Sequence, residues 1–279
     1  MSRGVVGVIS GLHRMVALGA AGACLLAGTA APAGAQPHAA SGTPTAATSV
    51  DTAAELATAA RHGRWRTTSP LYREVVRRGD QDGSPRNIEH VRELQYRLRF
   101  AGVYRGPVTG LFGDLTHAAV RRYQKREKLQ VSGVATHLTW AHLIKDSMRG
   151  GSKLRRKCIR GDGNHACYDR QLHQLTLWRN GRLRNAWLVR GGMRGYETRV
   201  GNFRVFRRDK RHVSSIYGSP MPYSQFFSGG QAFHGSTYMT DPFAGHSHGC
   251  INMYIEDARQ LWALTSRKPL AVHVYGSWD

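Results

Sequence analysis

The sequence predicts a multidomain α plus β protein: a small three-helix domain followed by a β-sandwich-like domain with one helix. Three observations predict it. Between Ile88 and Met148, apolar residues recur at three- and four-residue steps, the period of an amphipathic helix. From Tyr168 onward they alternate with polar residues, the period of a half-buried strand. The 279 residues suffice for two modest domains plus tails.

The N-terminus reads as a leader. Arg3 and Arg14 flank a short basic start, Val16 to Ala31 carries no charge, and Ala33-Gly34-Ala35 fits a small-x-small cleavage site before Gln36. Residues 1–35 are therefore a secretory signal peptide. An uncleaved anchor is the alternative, but the run is too rich in Gly and Ala to be a convincing membrane span. Ala21 stands where a lipoprotein signal around Cys24 would want a bulky aliphatic residue.

The chain carries 40 basic and 18 acidic residues, a formal charge of +22. Cleavage removes two basic residues and no acidic ones, so the exported chain stays strongly basic. Such a balance suits polyanions, or is simply a solvated basic surface. Export argues against nucleic acid and leaves anionic wall polymers or lipids as the counter-charge, with no stable membrane span after cleavage. It also implies an oxidising compartment, which favours a Cys158–Cys167 disulfide. Closing so short a loop stabilises by about 2–3 kcal/mol at best. Cys250 is then the odd, free thiol.

Residues 36–87 are expected to be linker. The first half is rich in Ala, Thr, Ser, Gly and Pro; the second is basic, with Pro70, Pro85 and turn signals at Gly79-Asp80 and Asp82-Gly83. Residues 88–148 form the helical domain. Ile88, Val91, Leu94, Leu98 and Ala101 lie on one helix face, and Gly102 can end that helix. After the turn Gly110–Asp114, either Asp114 or Thr116 caps a second helix with Ala119, Val120 and Tyr123 inward. Arg121, Arg122, Lys125, Arg126 and Lys128 make its outer side basic. Ser132-Gly133 breaks the chain before a third helix carrying Trp140, Leu143 and Ile144. Three helices with a basic face also fit a helix-turn-helix DNA reader, which export disfavours.

Residues 149–167 are a basic linker holding the two paired cysteines, and 168–276 the sheet domain. Leu175 and Leu177 alternate with polar neighbours, and Asn180-Gly181 is a strong two-residue hairpin signal. Ala186 and Leu188 run to Gly191-Gly192, and Phe203 and Val205 mark a further strand. Leu270, Val272 and Val274 mark the last. A helix spans roughly Ile255 to Thr265, with Ala258, Leu261, Trp262 and Thr265 on one face.

Chemistry concentrates between Phe233 and Met253. Three histidines and Cys250 fall within seventeen residues. A free thiol near pKa ~8.5 is barely ionised at pH 7, and a neighbouring histidine corrects that. Gly249 lets the backbone turn sharply before Cys250, so that successive amides can converge on an oxyanion. Zinc binding is the rival reading, but His-Ser-His-Gly-Cys spaces ligands only two apart, without a CxxC or HExxH pattern.

His234-Gly235, with twelve residues separating His234 from Ser247, then Ser247-His248-Gly249-Cys250-Ile251-Asn252 resembles the signature of the L,D-transpeptidases of bacterial cell walls, the YkuD-like catalytic domain. The resemblance implies a cradle-shaped β-sandwich with Cys250 as nucleophile and His234 as base. The Gly235 carbonyl would orient the imidazole, and backbone amides from His248 to Cys250, Gly249 included, would form the oxyanion hole. Asn252 belongs to the same signature. The segments through Tyr223 and through Ser228, Gly229 and Gly230 stand where relatives line the donor-peptide groove. Arg199 replaces a proline of the related Thr-Pro-Thr-Gly-x-Phe turn.

Residues 88–148 are similar to the three-helix peptidoglycan-binding domain of wall hydrolases, through Val91, Leu94-Gln95, Leu98, Gly102, Gly110 and Phe112-Gly113, and then Tyr123-Gln124, Gly133 and Thr139-Trp140. Together the resemblances imply an exported, wall-associated enzyme of cell-wall biogenesis. Its partners would be peptidoglycan stem peptides and wall polymer. It would form 3→3 cross-links, release D-alanine from a tetrapeptide stem, react with carbapenem-type inhibitors, and need no metal or other cofactor. Hydrolysis of the same acyl-enzyme, an L,D-carboxypeptidase activity, is the alternative. A non-catalytic wall-binding protein is another.

Overall fold

A computed structural model describes residues 69–149 and 156–278. The expected leader and the first part of the expected linker lie outside the described residues.

Helix α1 is Val91–Phe100. Asp82 starts it: its carboxylate accepts from the amides of Val91 (2.9 Å) and Arg92 (2.8 Å), donors that a first helical turn leaves without partners. Gly102 ends it at a φ of 76°, which an L side chain resists. Its N–H donates to Arg99 O and that of Val103 to Leu98 O, both at 2.9 Å. Helix α2 is Asp114–Arg126. Its N-cap is Gly113, not Asp114 or Thr116 as the sequence suggested. Thr116 is buried and accepts from Gln95 Nε2 at 3.0 Å, so its hydroxyl is already used. Helix α3 is His137–Asp146, with Thr136 as its cap. Val91, Leu94, Leu98, Val120, Tyr123 and Trp140 meet in one core.

The segment 69–87 is not linker. Leu71 and Val76 join that core, Val76 pairs with Ala135, and the Leu71 amide donates to Arg184 O at 2.9 Å. Composition hid this because the segment buries charges as well as apolar groups. Arg73 is fully buried and grips Glu93 of α1 with two hydrogen bonds, of 2.8 and 2.9 Å. Arg97 Nε reaches the same carboxylate at 2.7 Å, and both guanidiniums donate to Ala186 O. Asp257 lies 3.7 Å from Arg73 and 3.3 Å from His90 Nε2, and His90 Nδ1 also contacts Glu74. Helices and sheets are thus joined by a dry, paired charge cluster.

Helix α4, Arg156–Arg160, leads into the first of two sheets. That sheet holds β1 Asn164–Asp169, β2 Gln174–Arg179, β3 Arg182–Leu188, β4 Gly201–Arg204 and β9 Leu270–Tyr275, in the order β3-β2-β1-β9-β4. The expected linker 149–167 therefore ends inside the sheet domain: Cys167 sits in β1 and is bonded to Cys158 of α4. Asn180 and Gly181 both have positive φ, as a tight β2–β3 turn requires. The second sheet holds β5 Arg207–Val213, β6 Pro220–Ser228, β7 Gln231–Gly235 and β8 Ile251–Met253, in chain order. Helix α5, Ile255–Thr265, follows β8. Tyr168, Leu177 and Trp187 of the first sheet share a core with Phe233 and Ile251 of the second and with Leu261 of α5.

Candidate active site

Strands β7 and β8 run parallel, with Phe233 opposite Ile251 and His234 opposite Asn252. The buried residues Ala232, Phe233, Ile251 and Met253 hold both strands in the core. Their register brings His234 to the edge of the strand beside the one that Cys250 enters. His234 and Cys250 line one cleft of about 510 Å³, together with Gly230, Asn252 and Arg190.

The imidazole of His234 is buried, and its Nδ1 lies 2.8 Å from Gly235 O. A carbonyl only accepts, so Nδ1 carries the proton and Nε2 keeps its lone pair. Burial pushes the imidazole down to about 4. The nearby charges of His212 and Arg190 add to that shift and the Gly235 carbonyl opposes it. Burial also pushes the Cys250 thiol up, against a backbone hydrogen bond with Ala232. Its Sγ lies 3.7 Å from Gly230 O. At neutral pH the two groups are therefore an uncharged thiol and an uncharged imidazole. The proton leaves as sulfur attacks.

The turn before Cys250 is held by Ser247, whose Oγ donates to Cys250 O at 2.6 Å and accepts from the Gly249 amide at 3.0 Å. That engagement corrects one expectation: the Gly249 N–H is spent inside the turn and is not free for an oxyanion. Gly249 instead serves close approach. Its φ is 113°, and a Cβ there would sit 2.5 Å from Gln231 Nε2. His248 is exposed, with its ring stacked on Tyr217 at 4.7 Å and edge-on to Tyr196 at 5.2 Å.

Two more expectations need correction. Tyr223 does not line the cleft. Its φ of 60° interrupts the alternation of β6, and its ring packs edge-on against Trp262 of α5 at 6.2 Å. Ser228 ends β6 and Gly229 begins the turn to β7, with Ser228 O accepting from Arg199 Nη1 at 2.9 Å. Of that trio only Gly230 reaches the cleft. Asn252 lines it, and its Oδ1 is buried without a partner. Sequence reasoning missed Arg190 and Gln231, which also line it; His246, one of the three histidines of this stretch, lines it too, as does Ser236. The available signal for Arg190 was a charge closing the apolar run Trp187-Leu188-Val189 just before two glycines.

The loop between His234 and Cys250 rests on the helical region. Met239 packs with Ile88 and Tyr254. Tyr96 of α1 donates from its hydroxyl to Asp241, whose oxygens lie 3.1 and 3.0 Å away, and its ring packs at a tilt against Phe243 with centroids 4.5 Å apart. The zinc reading finds no geometry in this loop. Among the described residues, the one convergence of three His, Cys, Asp or Glu donors is His90, Glu93 and Asp257, in the charge cluster under α1.

Residues 163–274 match the family model of the L,D-transpeptidase catalytic domain (YkuD), and residues 87–143 match that of the peptidoglycan binding domain PG_binding_1. The sheet region is an L,D-transpeptidase catalytic domain. The helical region before it is a peptidoglycan-binding domain. A spore cortex-lytic enzyme of Bacillus cereus is 34% identical over 91 residues, 33% of this chain and 33% of that one. The chain thus spans about a third of the length of the curated relative it matches. An L,D-transpeptidase crystal structure from Stackebrandtia nassauensis is 26% identical, covering 75% of this chain and 98% of that one at a TM-score of 0.46. One from Xylanimonas cellulosilytica is 24% identical, covering 72% and 97% at a TM-score of 0.39. In the L,D-transpeptidase domain of this chain, the matched residues 163–274 include the whole His234–Cys250 loop.

Proposed function

We propose that this is a cysteine-dependent L,D-transpeptidase that cross-links peptidoglycan. One observation carries the reading: an imidazole whose Nδ1 is committed to Gly235 O shares a cleft with Cys250, the free thiol among the described residues. Cys250 Sγ bonds to the carbonyl carbon of the third, diamino residue of a tetrapeptide stem while His234 Nε2 takes the thiol proton. The backbone amides of His248 and Cys250 collect the oxyanion. The C–N bond to D-alanine then breaks, and His234 returns the proton to the leaving amine. An amine on a second stem attacks the thioester, releases Cys250 and completes a 3→3 cross-link. Water in place of that amine gives L,D-carboxypeptidase activity at the same site. The peptidoglycan-binding domain holds wall polymer, and the basic surface suits anionic wall polymers. The leader read in residues 1–35 supports a site of action outside the membrane.

The same thiol attacks a strained β-lactam carbonyl. A carbapenem should add one inhibitor mass to the peptide containing Cys250, and His234→Ala should slow that addition by about 10²-fold or more. His248→Ala should only reduce it, because its amide remains. Loss of the adduct in His248→Ala but not in His234→Ala would show that the base is misassigned.

The pH profile of acylation is a further readout. With an imidazole at about 4, the rate should hold from pH 7 down to about 5 and fall only near 4. An acid limb centred between 6 and 7 would contradict the assignment. Stability should follow the same group. The unfolded imidazole binds a proton below about 6.5 and the folded one does not until about 4, so stability falls as pH drops through that window.

A further inference from the structure

Among the described residues three arginines are buried, and two of them share a carboxylate. Arg73 and Arg97 both hydrogen-bond Glu93. Arg190 is treated differently. It is 8% exposed and lines the cleft beside Cys250. Its backbone exchanges hydrogen bonds with Asn252 at 3.0 and 2.8 Å, two residues beyond Cys250. Its Nη1 donates to Ala244 O at 2.8 Å, and its Nε is buried without a partner. Among the described residues, no carboxylate lies within ion-pair distance of it. Asp241 is the carboxylate whose charge acts on it, and the oxygens of Asp241 are bonded by the Tyr96 hydroxyl.

A buried cation without an anion is costly unless something supplies the charge. A cleft that keeps one beside its nucleophile is built for an anionic substrate. A guanidinium is a donor fork that matches a carboxylate. Resting on the transpeptidase reading, we propose that Arg190 is the carboxylate receptor of this cleft, binding a free carboxylate of the donor peptide next to the scissile bond. Two carboxylates meet that description. One is the C-terminal carboxylate of the D-alanine that leaves. The other is the second carboxylate of the third residue, where that residue is a diaminodicarboxylic acid. In the first case Arg190 measures peptide length, because a pentapeptide carries its terminal charge one residue too far.

The test compares kcat/KM for three donors: the disaccharide-tetrapeptide, its C-terminal carboxamide, and the form with lysine as the third residue. Wild-type enzyme should lose about tenfold or more when the recognised carboxylate is removed, because Arg190 is then left unpaired again. Loss with the carboxamide assigns the terminal charge; loss with the lysine form assigns the third residue. Arg190→Gln should abolish that preference while the variant still turns over the neutralised donor, with the change mainly in KM. If Arg190→Gln does not fold, Arg190→Lys is read instead. It should weaken the preference several-fold, since an ammonium lacks the fork. A wild-type enzyme indifferent to both neutralisations overturns the proposal, as does a folded variant that keeps the full preference. Such a result would leave Arg190 as a support of the Ala244 turn. Failure of wild-type enzyme on all three donors would instead count against the transpeptidase reading itself.

Discussion

Cys250→Ala protein should show no turnover of a tetrapeptide donor, a loss on the order of 10⁴-fold or more, because Cys250 is the free thiol among the described residues and the proposed acyl intermediate forms on it. Its stability should barely move. The thiol is only half-buried, packs at the edge of a small cluster of Met221, Phe226 and Ala232, and carries no charge at neutral pH. A change within about 1 kcal/mol is expected. Turnover and thermal unfolding measured on the same preparation check both parts. Full activity in the folded variant would remove Cys250 from the mechanism.

The second large effect concerns the join between domains. Glu93 is fully buried between Arg73 and Arg97. Burial works against its charge, but Arg73 and Arg97 outweigh that and hold the carboxyl down at about 2. Glu93→Ala leaves two guanidiniums facing each other in a dry interface. It should cost about 3–5 kcal/mol of stability. Urea unfolding at pH 7 measures this, and a loss below about 1 kcal/mol would contradict the paired-cluster description. The wild-type contribution is present above the ordinary carboxylate range and is lost as pH falls toward 2. Because Arg73 precedes residue 88, cutting the chain there removes a partner of Glu93 as well as Leu71 and Val76. The helical domain is therefore larger than its periodicity suggested. Through Tyr96 and Ile88 it also supports the loop that carries Ser247 and His248.

What could be read beforehand follows from how each feature is encoded. The helix Ile255–Thr265, the Asn180-Gly181 hairpin and the Gly102 stop are local, and their residues state them directly. Strand β5 is not local. Arg207–Val213 carries five charged residues and faces solvent over much of its length, so no alternation marks it. The segment at Arg73 was opaque because its burial depends on Glu93 and Asp257, which lie far along the chain. His234 and Cys250 were legible as a motif, and the cleft contains both. The removal of Tyr223 from the cleft turns on a single positive φ in mid-strand, which composition does not announce. The Gly249 amide was lost to the Ser247 hydroxyl, a competition between two adjacent groups that only the turn's geometry decides. Arg190 stands out only in the fold, where Asp241, the carboxylate whose charge acts on it, is bonded by the Tyr96 hydroxyl.

The central claim is that Cys250 passes the stem peptide from D-alanine to an amine. Mass spectrometry of wild-type enzyme incubated with disaccharide-tetrapeptide tests it most directly. The account predicts free D-alanine, a thioester-linked disaccharide-tripeptide on the Cys250 peptide after acid quench, and a dimer joined between third residues. An unmodified Cys250 in enzyme that consumes the donor, or release of any fragment other than D-alanine, would contradict it.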